Sequence, residues 1–258
     1  MKKYLFVPFF CCFWTISVQS ASLKQTFDVQ IGLFDAAKVN VFYQTGKNDY
    51  IFETKMTTSG LFDKLYSFKA DYRTSGFFQD DSFITTDYHQ STKSSAHLRT
   101  KKLIFDSNGI LYQRQSSKDD AKKTVDVVLP PSLPDAFDLQ TVLVMMIKQF
   151  QADLTCNLSK TVFNGKKTYH VRFEDGGATF FKDKNVHFTG QSHKCLAFIH
   201  QTNTAKGDLL WQVSAEKPIV FYLVKDAKTG LVFVPKIEIA STPLGDLKAY
   251  MTNLTQGQ

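Results

Sequence analysis

Short stretches in which apolar and polar residues alternate recur along most of the chain. Phe27–Ile31 and Val39–Tyr43 are two clear examples. Half-buried strands show this period of two, because successive side chains point to opposite faces of a sheet. Asn108-Gly109 and Asn164-Gly165 lie between such stretches and predict hairpin turns, since both residue types tolerate the positive φ of a tight reversal. The pattern predicts roughly a dozen short antiparallel strands.

Two segments instead show helical spacing. Ser59–Tyr66 predicts a short connecting helix, and a longer helix is predicted after the proline-rich stretch that ends at Pro134. Asp135 or Asp138 can cap this longer helix, which we expect to end at about Phe150 or Gln151. One of its faces is apolar: Leu139, Val142, Leu143, Met146 and Phe150. The fold class is therefore mainly β, with a large curved antiparallel sheet (a half-barrel or open barrel) and one to two short helices, one packed on the concave face.

The first 20 residues have the layout of a cleavable signal peptide. Lys2 and Lys3 precede an apolar stretch that is followed by small and polar residues. The apolar stretch is shorter than the roughly 20 residues that a membrane span needs. We expect cleavage between Ser20 and Ala21, with a cut before Leu23 as the alternative. The mature chain, residues 21–258, would then be a single β-rich periplasmic domain without an integral membrane span.

Removal of the signal peptide changes both the charge and the cysteine count. The formal charge of +7 becomes +5 once Lys2 and Lys3 are lost, and the remaining basic residues are scattered. Nucleic acid is therefore not an expected partner. Cys156 and Cys195 are the cysteines that stay, and in an oxidising compartment such a pair predicts a disulfide. Two free buried thiols are the alternative.

No catalytic motif stands out. The chain has neither a Gly-x-Ser-x-Gly elbow nor a phosphate-binding glycine loop between a strand and a helix. Ser192-His193 is an adjacent pair, and adjacent strand residues point to opposite faces. The acidic pairs Asp80-Asp81, Asp119-Asp120 and Glu174-Asp175 lie in polar stretches that we interpret as solvated turns. We predict no catalytic residue and no enzymatic activity.

A metal site is the strongest alternative chemistry. Four histidines occur in the same third of the chain as the two cysteines: His170, His187, His193 and His200. His193 and Cys195 would face the same side of a regular strand. The tight Cys-x-x-Cys or His-x-x-x-His spacing of many metal sites is missing, however. We therefore expect no metal and no cofactor.

Phenylalanine is abundant, with 24 in the chain, of which four leave with the signal peptide. A curved sheet lined with Phe, Met and Tyr would enclose a dry pocket for an apolar ligand such as an acyl chain. An ordinary aromatic core is the alternative interpretation.

Several short segments together resemble one family. They are Phe27–Tyr43 with Gly32 between two strands, Thr58–Tyr66, Asp71–Arg73, the helix after Pro134-Asp135, Val234–Ile239 and Pro243–Leu247. In these features the chain resembles the exported bacterial family named domain of unknown function 3108. The resemblance implies a curved antiparallel sheet similar to that of the periplasmic carriers of outer-membrane lipoproteins, which hold acyl chains in an apolar concavity. The resemblance assigns no catalytic residue.

Two segments depart from the family pattern. Ala36-Ala37 has alanine where a glycine is expected, and Gly176–Lys194 is longer and more polar. We expect the second segment to be a looser region.

The sequence therefore predicts a non-enzymatic periplasmic protein that binds an apolar or lipid-like ligand in envelope maintenance. An envelope scaffold that binds another protein through a sheet edge is the first alternative, and an uncharacterised enzyme is the second. The expected partners are accordingly a lipid-like small molecule or an envelope protein.

Overall fold

A computed structural model of the chain describes residues 21–79, 82–127, 137–202, 217–242 and 245–257. The signal-peptide stretch with Ser20, the pair Asp80-Asp81 and the alternative helix cap Asp135 lie outside these residues. The described elements are β1 (Ala21–Ile31), β2 (Phe34–Thr45), β3 (Asp49–Thr58), α1 (Gly60–Leu65), β4 (Phe68–Gln79), β5 (Ser82–Ser94), β6 (Leu98–Phe105), β7 (Leu111–Lys118), β8 (Ala121–Asp126), α2 (Leu139–Asp153), β9 (Leu158–Phe163), β10 (Thr168–Lys182), β11 (Thr189–Gln201), β12 (Ile219–Lys225), β13 (Val232–Thr242) and β14 (Gly245–Gly257).

All strands of the described residues belong to one antiparallel sheet of 14 strands. From the centre, β1 to β8 run outward in sequence order on one side, and β14 to β9 run outward in reverse sequence order on the other. The two halves join where the first and last strands pair, from Ser22 opposite Gly257 to Ile31 opposite Leu247. The sheet is not closed into a barrel within the described residues, because its outermost strands, β8 and β9, do not pair with each other. The predicted fold class is confirmed.

Helix α2 fills the concave side of this sheet. It contacts β3, β4 and β5 from one half and β9 and β13 from the other, so the sheet curves around it. Val142, Val144 and Met146 are almost fully buried there. A helix that is apolar on more than one face is stable only when it is enclosed. The predicted packing of this helix on the concave face is therefore confirmed, and the helix occupies the central space that the aromatic content suggested for a ligand.

The two outer regions of the sheet approach each other without pairing. The Arg114 guanidinium on β7 donates a hydrogen bond of 2.7 Å to the carbonyl of Gly165, in the turn between β9 and β10. Phe163 packs against Leu103 and Leu111 beside this contact. The outer edge of β9 is covered by Phe137, whose N–H and carbonyl bond to β9 in a short parallel bridge. The sheet is thus nearly a closed cylinder.

Most turns follow the sequence pattern. Gly109 and Gly165 lie in the predicted hairpin turns with φ of 77° and 82°. The short helix predicted at Ser59–Tyr66 is α1. For Gly176–Lys194 the expectation of a looser region is wrong, because β10 and β11 stay paired as far as Lys182 opposite Thr189. Its polar residues face solvent on the exposed parts of a long hairpin, which explains the misleading composition.

Within the described part of the chain, neither helix is both long and apolar enough to cross a membrane.

Candidate functional site

The sheet opens between β13 and β14. These strands pair from Lys236 opposite Tyr250 toward Thr242 opposite Gly245, whereas the continuation of β14 from Met251 onward pairs only with β1. A bulge on β13 sets Val234 and Pro235 opposite the single residue Leu223 of β12. Proline has no N–H to offer to a neighbouring strand, so a bulge is one of the few places where a sheet tolerates it. The separation of the strands begins at this proline.

A half-open recess of about 340 Å³ lies at this separation, and we call it the β13–β14 slot. Its lining residues come from β13, β14 and the tip of the β10–β11 hairpin: Phe233; Met251, Thr252, Asn253 and Leu254; His187 and Phe188. Four of these seven side chains are apolar. The polar side chains Thr252 and Asn253 and the imidazole of His187 are exposed. The slot is therefore an apolar recess with a polar rim.

Gln25 of β1 satisfies the backbone that the separation leaves without a strand partner. Its side-chain amide donates to the Val234 carbonyl (3.1 Å) and accepts from the Val234 N–H (3.2 Å). The same amide group lies 3.0 Å from the Met251 sulfur. Gln25 is buried, with 3% of its surface exposed. Because an unpaired buried peptide group costs about 1–3 kcal/mol, this pairing allows the strands to stay apart.

The tip of the β10–β11 hairpin covers one side of the slot. Phe188 packs edge-on against Phe233, with ring centroids 5.3 Å apart, and Phe181 packs against Tyr222 at the same centroid distance. Val186 is buried in the same cluster. A long hairpin thus folds back onto the sheet and buries apolar side chains at its tip.

An ion-pair cluster holds this tip in place. The Lys236 ammonium lies 2.7 Å from an Asp183 oxygen at the tip and 2.8 Å from a Glu238 oxygen on its own strand. Burial lowers the pKa of Lys236, but the two carboxylates outweigh burial, so the pKa is raised above its usual value. Burial raises the pKa of Asp183, and the Lys236 ammonium outweighs it, so this pKa is lowered. Lys236 and Asp183 are therefore both charged near neutral pH.

A second polar cluster surrounds the start of α2. Asp138 caps the helix, and one of its carboxylate oxygens accepts from the N–H groups of Gln140 (3.0 Å) and Thr141 (3.1 Å). The hydroxyl of Thr74 on β4 donates to the same oxygen at 2.8 Å. The other oxygen accepts from the hydroxyls of Thr141 and Thr85. Asp138 was one of the two caps predicted from sequence, and the structure confirms it.

Burial dominates the electrostatics of this cap. Asp138 is 2% exposed, and burial raises the pKa of its carboxyl although the hydrogen bonds counteract part of that effect. The hydroxyls of Tyr50 and Thr141 are hydrogen-bonded at 2.9 Å. Burial, together with the Asp138 carboxylate, raises the Tyr50 pKa to about 12. The cluster is enclosed and satisfied by its own members, which makes it a structural anchor of α2 rather than an open site.

A third cluster lies at the other end of α2, around the predicted disulfide. Cys156 and Cys195 are joined, with Cα atoms 5.9 Å apart, as expected from the sequence. The imidazole of His193 bonds to the Asp175 carboxylate beside them. A bulge in β10 between Asp175 and Ala178, opposite β11, brings these side chains together. A disulfide indicates that the protein matures in an oxidising, extracytoplasmic environment.

The other sequence candidates lie apart from these clusters. His170 and His200 are exposed cross-strand neighbours, and His170 bonds to Ser159 rather than to a carboxylate. Asp119-Asp120 forms an exposed turn, as expected. For Glu174-Asp175 the interpretation as a turn is wrong, since both residues lie in β10. The bulge at Gly176-Gly177 gives this strand a turn-like composition.

The sequence profile of a family described as "protein of unknown function (DUF3108)" matches residues 26–252. The chain belongs to this family. The resemblance inferred from the short segments is therefore confirmed. No curated protein matches the chain.

One solved structure supports the architecture of this DUF3108 protein. It is the crystal structure of a β-barrel-like protein of domain of unknown function DUF1849 from Brucella abortus. The identity is 9%, the alignment covers 92% of this chain and 98% of that chain, and the TM-score is 0.54. At this identity the likeness concerns the fold alone. The similarity of the DUF3108 fold to lipoprotein carriers stays a prediction.

Sequence reasoning missed the residues that shape the slot of this DUF3108 protein. Pro235 lies in the bulge of β13. The partner that fills the gap, Gln25, is 209 positions away from Val234. In the sequence, Gln25 is marked only as a polar residue at an inward position between the apolar residues Leu23 and Phe27.

Proposed function

We propose that this DUF3108 protein is an exported, non-enzymatic binding protein that holds an apolar, lipid-like molecule in the β13–β14 slot. The observation that carries the proposal is the slot itself, where β13 and β14 separate and apolar side chains occupy the place of the missing backbone hydrogen bonds. Phe188, Phe233 and Met251 provide an apolar wall between them. Ligand sites are commonly concave, largely apolar and equipped with a few polar groups, and the slot meets this description.

The size of the slot favours one acyl chain as the occupant. Its volume of about 340 Å³ is at the lower end of the roughly 300–1,000 Å³ typical of small-molecule sites. A lipid with several chains would exceed it. An acyl chain needs no hydrogen bonds along its length, and Thr252 and Asn253 stand at the rim where a polar head group would emerge. The ligand class is therefore a single chain with a polar end.

Export to the periplasm is the second part of the proposal. The signal-peptide pattern of residues 1–20 supports it, and the Cys156–Cys195 disulfide fits an oxidising compartment. A role in envelope maintenance follows from the location, since acyl chains are abundant in the membranes on both sides of that compartment.

Binding of a fluorescent fatty acid to the purified mature protein tests the proposed function. The probe should bind with a stoichiometry of one and be displaced by unlabelled fatty acid. Leu254→Trp, which places a larger side chain in the slot, should reduce binding at least about tenfold, because the added volume collides with the chain. Phe180→Ala is the matched control, since Phe180 is an apolar residue of the same hairpin with 63% of its surface exposed. Equal binding by wild type and Leu254→Trp would refute the slot as the site.

A sheet edge without a strand partner among the described residues gives the alternative scaffold function one supporting observation. Strand β8 is the outermost strand of its half, and its residues are almost all exposed. Lys122 and Lys123 on this strand are typical of edges that are protected against pairing, which weighs against a docked strand. Crosslinking in cells at Lys122 would trap one stoichiometric protein partner if the scaffold function holds.

A further inference from the structure

The disulfide cluster contains more metal-binding groups than a structural disulfide needs. The ligand atoms of Cys156, Asp175 and His193 all lie within 4.8 Å of one another. Cys195 adds a second sulfur, since it is bonded to Cys156. Two sulfurs, one imidazole nitrogen and one carboxylate oxygen form a donor set that suits a tetrahedral zinc-type ion.

The strand geometry explains why these four groups converge. Asp175 of β10 lies directly opposite Cys195 of β11, and His193 follows two positions away on the same face. The bulge between Asp175 and Ala178 shifts the register, so the Asp175 carboxylate reaches the imidazole. Cys156 comes from the segment after α2 and completes the cluster. Bulges are common next to functional sites because they redirect side chains in this way.

We propose that the reduced form of this protein binds one zinc-type divalent cation through Cys156, Cys195, His193 and Asp175, and that oxidation to the disulfide releases it. Reduction by a dithiol breaks the sulfur–sulfur bond, and the dithiol becomes a disulfide as two electrons and two protons pass to the cysteines. Metal binding then displaces both thiol protons to solvent, because thiolate is the ligand form. In reoxidation, the disulfide of a thiol oxidase takes two electrons from the two thiolates and two protons from solvent and becomes a dithiol; the cysteines form their disulfide and the cation keeps two protein ligands.

Several contacts besides the disulfide tie the parts of the cluster together. The Asn157 side chain, next to Cys156, accepts a 2.9 Å hydrogen bond from the Asp175 N–H. The Asp175 carboxylate also accepts from the Gly177 N–H at 2.9 Å. The ring of Phe150 on α2 packs edge-on against His193, with centroids 5.4 Å apart. Ligand atoms around a tetrahedral zinc ion are separated by about 3.3–3.8 Å, so Cys156, Asp175 and His193 would draw together by about 1 Å, while the two sulfurs, no longer bonded, would move apart.

Access and enclosure also suit a metal site. Both cysteines are fully buried, whereas the side chains of His193 and Asp175 are 15% and 27% exposed. A cation would enter from the Asp175 side and meet the sulfurs at the bottom of the cluster. The buried side is apolar, as is usual where a protein limits water access to a bound metal.

Cobalt binding by the mature protein tests the proposal. The protein is reduced with a phosphine, which does not compete as a thiol ligand, and titrated with Co²⁺ under exclusion of oxygen. Reduced wild type should bind one equivalent, with thiolate-to-cobalt charge-transfer bands and the strong visible bands of tetrahedral coordination, and Zn²⁺ should displace it. The disulfide form should show none of these bands. Absence of the bands in reduced wild type would overturn the proposal.

Variants identify the ligands. His193→Ala should weaken binding at least about tenfold, since even an outer partner of a metal ligand is worth that much. His200→Ala is the control, because this histidine lies on the same strand but is exposed and pairs with His170 instead. If the reduced protein loses structure, added Zn²⁺ should raise its thermal unfolding midpoint by mass action. Equal affinity of wild type and His193→Ala, or no shift of the midpoint, would contradict the assigned site.

Discussion

At the scale of single residues, Asp138 joins α2 to the sheet and makes the stability of the fold depend on pH. Its carboxylate is buried and accepts hydrogen bonds from α2 itself and from Thr74 and Thr85 on two strands. Burial raises its pKa in the folded state above the value of about 3.9 in the unfolded chain. Such a group stabilises the fold fully below the unfolded pKa, and this contribution is lost as the pH rises through the folded pKa.

Asp138→Asn should therefore change how stability depends on pH. The asparagine keeps one accepting oxygen for the N–H groups of the helix, and the threonine hydroxyls can turn to accept from its amide. The difference in unfolding free energy between wild type and Asp138→Asn should fall as the pH increases from about 4 to 7. Urea unfolding of both proteins across this range measures it. A difference that is constant with pH would contradict the assigned burial effect.

Asp138→Ala separates capping from charge. This change removes the cap and the carboxylate that Thr74, Thr85 and Thr141 share, which should cost at least about 2 kcal/mol near pH 4 and less as the pH rises through the folded pKa of Asp138. The sequence identified Asp138 as a candidate cap because of its place before an apolar run. Its strand partners were not predictable, since they are 64 and 53 positions away and become neighbours only through the curvature of the sheet.

At the scale of elements, the β10–β11 hairpin determines whether the slot is covered. Its tip is held by the Asp183–Lys236 ion pair and by aromatic packing. Asp183→Asn should release the tip, because it removes a charge partner from a lysine whose side chain is only 11% exposed. Amide hydrogen exchange at residues 183–190 should then be faster, and the fatty-acid probe should dissociate faster.

Glu174→Gln provides the matched control for this hairpin. Glu174 pairs with Arg172 on the same strand, but both side chains are largely exposed, so the change should have little effect on exchange at the tip. The folded-state pKa of Asp183 is lowered, so its stabilising contribution is present above the unfolded value of about 3.9 and is lost as the pH falls through the folded pKa. Unchanged exchange in Asp183→Asn would contradict the role of the ion pair.

The same hairpin also marks a limit of the sequence pattern. Alternation of apolar and polar residues predicted β1, β2 and the turns at Gly109 and Gly165, because one face of those strands is buried and the other solvated. From Gly176 to Lys194 the alternation is interrupted by the bulge and by the charged residues of the tip. Strand pairing there rests on the contact of the tip with β12 and β13, which a local pattern does not contain.

At the scale of the whole molecule, the disulfide connects the segment after α2 to the sheet. It closes a loop of 39 residues, for which chain entropy gives about 4 kcal/mol of stabilisation. Replacement of Cys156 and Cys195 by alanine should lower the free energy of urea unfolding by about this amount. Reduced wild type, measured without metal, should lose a similar amount. A loss below about 1 kcal/mol in both proteins would contradict this role of the disulfide.

The overall architecture was predictable for a physical reason. A chain of short alternating strands with one apolar helix has few ways to bury all its apolar faces, and a sheet curled around the helix is one of them. The slot was not predictable in this way, because it depends on a local failure of pairing at Pro235 and on a distant glutamine that compensates for it.

The most direct test of the central claim is native mass spectrometry of the mature protein, isolated from the cell envelope without detergent. The account predicts one non-covalent adduct with the mass of a single-chain lipid in wild type and in Phe180→Ala, and its loss in Leu254→Trp. A wild-type protein that carries no adduct and takes up none from added fatty acid would contradict the account, as would a Leu254→Trp protein that keeps the adduct.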